Sequence, residues 1–251
     1  MSSVSQLRAP AVEIILDASG SMAKVLGNST RINVATSALT DLVANQLDPD
    51  TQLAVRIFGH REARSCNTYS EVAVAPIADS EAKTVFQGIP PAAFSKTAIA
   101  ASLAQVATDM ASVSGTKIVL LLTDGEETCG GDPAAEIEKL VAQGDVRVNI
   151  IGFAVDEAAA KTKFTEWATV GNGTYTDVSN GEELTSALTT ALRAPFRLLN
   201  AQGEIVETGT VNGEAIQVEA GAYTLIVEAV DGERTEEISI TGGEEKKIVV
   251  R

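Results

Sequence analysis

The chain has 251 residues, 45% of them hydrophobic, enough for one substantial core and one or two domains. Against 19 Lys and Arg stand 34 Asp and Glu, a net charge of −15 that repels phosphate backbones and sets nucleic acid and anionic membrane aside as partners. No apolar run reaches the roughly 20 residues of a membrane span. The opening MSSVSQLRAP has no signal-type hydrophobic core, which leaves either a cytosolic product or one whose leader is absent from this sequence.

Residues 1–9 read as a tail. In the first predicted strand, AVEIILD (11–17), an apolar run stops at Asp17, and two hydroxyls follow at Ser19 and Ser21. Ile32, Ala35, Leu39, Leu42 and Val43 then recur at helical spacing. QLAVRIFG (52–59) is a second strand, with His60, the only histidine, at its end and Cys66 in the loop beyond. EVAVAPI (71–77) alternates and carries Pro76, which suits an edge strand.

A helix through Ile99, Leu103, Val106, Met110 and Val113 follows Ser95 and Thr97, either of which could cap it. KIVLLLTD (117–124) is continuously apolar up to Asp124, and Glu126, Glu127 and Cys129 lie in what reads as a solvated loop. Helices are predicted over 133–143, 156–170 and 181–194, and strands over 146–155 and 173–178. Phe164 and Trp167 read as core, and GNGT (171–174) as a turn. Strands alternating with helices over 10–195 predict an α/β domain built on a doubly wound, mostly parallel six-stranded sheet.

From 196 to 251 the texture changes to short alternating runs, with Tyr223, Leu225 and Val227 on one side and a DG hairpin signal at 231–232. This stretch reads as a small all-β sandwich domain, joined at RAP (193–195).

In an open parallel sheet, ligands bind beyond the carboxyl ends of the strands, where the strand order reverses. If the strands ending at Asp17 and Asp124 are neighbours there, their carboxylates face one crevice beside the Ser19 and Ser21 hydroxyls. An oxygen-only set suits a hard divalent cation such as Mg2+ rather than zinc or copper. Catalytic readings find little support, because a triad would depend on His60 alone and the chain has neither a nucleophile elbow nor a phosphate-binding loop. No enzymatic activity is expected.

These residues resemble the von Willebrand factor A family. Its metal-ion-dependent adhesion site combines Asp-x-Ser-x-Ser, a distant Thr and a distant Asp in a T-D-G context, here DASGS (17–21), SKTAIAASL (95–103) and LLLTDGEETC (120–129). The resemblance implies that Asp17, Ser19, Ser21, Thr97 and Asp124 hold Mg2+, with Mn2+ or Ca2+ as substitutes. The serines would bind directly, Thr97 directly or through water and the aspartates mostly through water. A carboxylate from a partner protein would complete the shell, so the implied function is metal-dependent adhesion. Ala98 departs from the Pro that often follows the Thr in bacterial relatives. Two other uses of such a site are docking in an intracellular chelatase- or MoxR-type ATPase assembly and, less in keeping with these residues, metal-assisted hydrolysis.

Cys66 and Cys129 hang from the same face of the predicted sheet, and the residues alone leave open a disulfide or two reduced thiols. The chain also resembles an exported bacterial subgroup of the chloride-channel-associated type with similar paired loops. That likeness implies the bridge and an extracytoplasmic setting, at the cell surface or in the periplasm.

Overall fold

The computed structural model describes residues 11–90, 95–211, 213, 215–229 and 232–248. The predicted tail, 1–9, lies outside them. The chain forms two compact units, one within Ala9–Ala191 and the other from Leu192 onward.

The first unit is built on a six-stranded sheet of β1 (Ala11–Asp17), β2 (Gln52–Phe58), β3 (Thr68–Pro76), β4 (Lys117–Thr123), β5 (Val146–Phe153) and β6 (Tyr175–Val178), in the spatial order β3-β2-β1-β4-β5-β6. All neighbours are parallel except β3, which returns antiparallel to β2. Thus β1 lies between β2 and β4, with Asp17 opposite Phe58 and Leu16 opposite Leu122, and the order reverses beside it.

The continuous apolar runs are explained by burial on both faces: Ile14, Ile15, Leu16, Leu120, Leu121 and Leu122 are fully inaccessible. On one face, Ile15, Val119, Leu121 and Val148 pack with Ile99 and Leu103 of α2 (Ile99–Asp109), Ile137 of α3 (Pro133–Ala142), and Phe164 and Trp167 of α4 (Ala158–Val170). The alternate residues point the other way, toward the layer where α1 (Arg31–Asp41) packs against α5 (Gly181–Ala191).

Local chemistry sets the ends of these helices. Asp132 accepts the Ala135 N–H ahead of Pro133, a favourable first helical residue, while Glu136 and Lys139 match the two poles of α3. Below the crest of the sheet, the buried Asn149 of β5 donates to the Ala191 carbonyl at 2.7 Å and accepts the Thr174 N–H at 2.9 Å. The predicted turn at 171–174 is present, and a β-carbon at Gly173 would meet the Val148 carbonyl oxygen at 2.2 Å.

The second unit is antiparallel, with β7 (Pro195–Leu199), β8 (Ile205–Thr210), β9 (Gly221–Ala229) and β10 (Gly232–Ile240) in the order β8-β7-β9-β10. Leu198, Tyr223, Leu225 and Val227 form its core, on the single face the alternation predicted. The small all-β region is antiparallel as expected, and among the described residues it has one four-stranded sheet, with no second sheet of a sandwich. Val211, Val218 and Ile248, from segments outside its strands, pack against the apolar face. Alternation specifies which face is apolar and says nothing about whether strands or irregular chain cover it. Asp231, in the predicted turn, lies outside the described residues, though β9 and β10 pair up to Ala229 and Gly232.

Candidate metal centre

Four loops meet above the reversal point. Asp17 ends β1, fully buried, with one carboxylate oxygen accepting the Ser19 N–H at 2.7 Å and the other the Thr123 hydroxyl at 2.7 Å. These bonds fold the chain after β1 into a tight turn that presents Ser19 Oγ and Ser21 Oγ 3.0 Å apart. Ser21 Oγ donates to Asp124 Oδ1 at 2.6 Å, and Thr97 Oγ1 lies 3.5 Å from Ser19 Oγ. All five residues predicted from the sequence are therefore brought together.

Gly59 makes this packing possible. It has φ +81°, and a β-carbon there would sit 2.5 Å from the Ser19 nitrogen. Gly59→Ala therefore combines left-handed backbone strain with a backbone clash. The expected cost is about 2 kcal/mol, with a displaced Ser19, measurable as a lower unfolding midpoint together with weakened binding of divalent cations.

The expectation that Thr97 or Ser95 caps the following helix is not met. Ala98 is the residue before α2 and offers no side-chain cap, while the Ala100 N–H is taken by Glu127 at 2.8 Å. Ser95 instead donates to the Gly59 carbonyl at 2.9 Å. Thr97 is gripped through its backbone, its N–H on Thr128 Oγ1 at 2.8 Å and its carbonyl on the Thr128 N–H at 3.0 Å. Its hydroxyl is thereby left to face the serines.

Glu127, read as a solvated loop residue, is structural: it caps α2 and also accepts the Cys129 N–H. Cys129 is bonded to Cys66, so this clamp is fastened to the loop between β2 and β3. His60 stands apart from the cup, with Nε2 3.0 Å from Glu71 and its ring edge-on to Tyr69. Burial lowers its pKa, an effect that Glu71 partly offsets.

The donor set fits a divalent cation. Every polar atom lining the cup is oxygen, apart from one guanidinium described below, and adjacent ligands of an octahedral Mg2+ with 2.0–2.1 Å bonds stand about 2.9 Å apart, close to the observed serine separation. Burial, and then the nearby Asp124 charge, push the Asp17 pKa up to about 7, although hydrogen bonds from Thr123 and Ser19 work the other way. A fold that forces two carboxylates together in this way is relieved by an added positive charge.

Arg31, the first residue of α1, was not singled out by the sequence. Its guanidinium is buried and donates to Asp124 Oδ2 at 2.8 Å.

A family model of the von Willebrand factor type A domain matches residues 12–190. The chain belongs to this family. This von Willebrand factor A chain is 35% identical over 187 residues to the uncharacterized protein YwmD of Bacillus subtilis (strain 168), an alignment covering 70% of the chain and 82% of YwmD. Among solved structures it resembles an aerotolerance-related membrane protein from Bacteroides fragilis NCTC 9343, with TM-score 0.58 and 20% identity, over 73% of this chain and 98% of that one. It also resembles proximal thread matrix protein 1 from the mussel byssus, described with a zinc-occupied MIDAS motif, with TM-score 0.56 and 22% identity, over 73% of this chain and 45% of that one. At these identities the two structures establish the shared fold.

Proposed function

We propose that this von Willebrand factor A chain is a metal-dependent protein-binding module whose cup recognises an acidic residue of a partner. The observation that carries this reading is the convergence of Ser19, Ser21 and Thr97 hydroxyls on the paired carboxylates Asp17 and Asp124. Ser19, Ser21 and Thr97 would hold the cation, and Asp17 and Asp124 would neutralise it and orient its waters. When bound, Mg2+ or Mn2+ supplies an electrophilic centre for a carboxylate. The zinc-occupied MIDAS of the byssus protein supports a divalent ion at such a site.

We read the activity as binding rather than turnover, because the single histidine is committed to Glu71 and both carboxylates of the cup are engaged, Asp17 by Ser19 and Thr123 and Asp124 by Ser21 and Arg31. The Cys66–Cys129 bridge supports an oxidising, extracytoplasmic setting, and a place in the chloride-channel-associated-like subgroup, over an intracellular ATPase assembly. Among the described residues no helix is long and apolar enough to cross a membrane.

Calorimetric titration of Mg2+, Mn2+, Ca2+ and Zn2+ into wild type and Ser19→Ala tests the reading. At least one ion should bind wild type with a 1:1 stoichiometry, and the variant at least tenfold more weakly, as loss of one direct ligand implies. Equal affinities would end the metal assignment.

A further inference from the structure

Arg31 sits where helix physics disfavours it. A cation in the first turn opposes the positive end of the helix dipole, and this one is also only 6% exposed. Its compensation is ionic: besides Asp124, it donates to Asp156 Oδ2 at 3.2 Å, so one guanidinium spans the loops that follow β4 and β5. The Asp156 carboxylate is 70% exposed and shared with Lys24 at 3.5 Å, so water screens it. The Asp124 carboxylate has no exposed surface. Both of its oxygens are engaged, Oδ1 by Ser21 and Oδ2 by Arg31, which holds it back from a cation in the cup.

The charges can be counted. With a divalent ion bound, Asp17 and Asp124 contribute −2, the ion +2 and Arg31 +1. The buried cup is therefore left at +1; without Arg31 it would be neutral.

We infer that Arg31 sets the charge of the cup, so that a divalent cation alone binds weakly and a carboxylate ligand, by removing the residual positive charge, tightens it. Metal and acidic partner are then obligately coupled, each raising the affinity for the other by the same factor. This rests on the metal-binding reading proposed above. It adds that Arg31 is the residue that makes cation binding depend on that anionic ligand.

The test is calorimetric titration of Mg2+ into the full chain, with sodium acetate as the carboxylate probe and sodium chloride at equal ionic strength as the control. Wild type should bind Mg2+ several-fold more tightly in acetate. Arg31→Gln should bind Mg2+ alone about tenfold more tightly or better, because a like charge has been removed from a poorly screened site, and acetate should then add little. Arg31→Lys, which keeps the charge, should retain the acetate effect.

Asp156→Asn, an exposed change that spares the fold, should leave the Mg2+ affinity and the acetate effect close to those of wild type, because water screens the charge it removes. A folded Arg31→Gln with unchanged or weaker Mg2+ affinity overturns the inference. If that variant does not fold, a wild type that binds Mg2+ equally well in acetate and in chloride does so. Wild type that binds no divalent ion overturns the metal reading itself, whereas Ser19→Ala losing the ion while Arg31→Gln matches wild type overturns the Arg31 role alone.

Discussion

Replacing Cys66 and Cys129 together by serine is expected to lower the unfolding free energy of the first unit by roughly 4 kcal/mol, the chain-entropy value for a bridge of this span. The two half-cystines are 63 residues apart in the sequence, so the bridge removes much freedom from the unfolded chain. Trp167, the single tryptophan and buried on α4, reports the transition by fluorescence in a urea titration. Wild type in a thiol reductant should coincide with the double variant, and a loss below about 1 kcal/mol would show that the bridge closes a loop already ordered in the unfolded state. Divalent-ion affinity should fall as well. The bridge anchors Cys129, and the neighbouring Glu127 and Thr128 hold the turn that carries Thr97.

Glu13→Gln is expected to stabilise the protein, and increasingly so as the pH rises. Glu13 lies at the middle of β1 with no accessible surface and no hydrogen-bond partner for either oxygen among the described residues. Arg56, on β2, is 3.7 Å away but donates through Nε to Asp109 of α2 at 2.7 Å. Burial, and then the neighbouring Asp109, raise the Glu13 pKa well above its ordinary 4.5, while Arg56 opposes this. The native state therefore keeps a proton that the unfolded chain has already released. Its stability is full below the unfolded pKa and is lost as pH rises toward the folded one.

Each unit of that rise is worth about 1.4 kcal/mol. Glutamine, neutral at every pH, escapes the loss. Unfolding curves for the two proteins should therefore lie close together at pH 4 and diverge between there and pH 8, measured in chelator so that the cup does not contribute. A constant offset across that range, or a variant less stable at pH 8, would mean that Glu13 is ionised and paired with Arg56.

What the sequence disclosed followed the range over which its signals act. β1, β4 and β5 were legible because strands buried on both faces carry long apolar runs, even with the buried Glu13 in β1 and Asn149 in β5. β3 begins at Thr68, three residues before the expected start, because a half-exposed edge strand can carry Thr-Tyr-Ser without looking like one. The five cup residues were legible because their types and order carry the chemistry. Arg31 and Glu127 were not, since their meaning comes from Asp124 and Ala100, 93 and 27 residues away. Gly59 was hidden for the same reason: only the packed turn shows that nothing larger fits.

Of the described loops above the sheet, the one between β2 and β3 differs in kind, since it leads back into the sheet where the others lead into helices. Lengthening it costs only loop closure, about 0.6 kcal/mol for each doubling, and shifts no helix. The disulfide pins one point of it, Cys66, and Glu71 holds another, His60, so that a change in length or composition falls on the exposed tip between them. Rewriting that one hairpin tip would thus change the surface beside the cup while the turns that build the cup stay as they are.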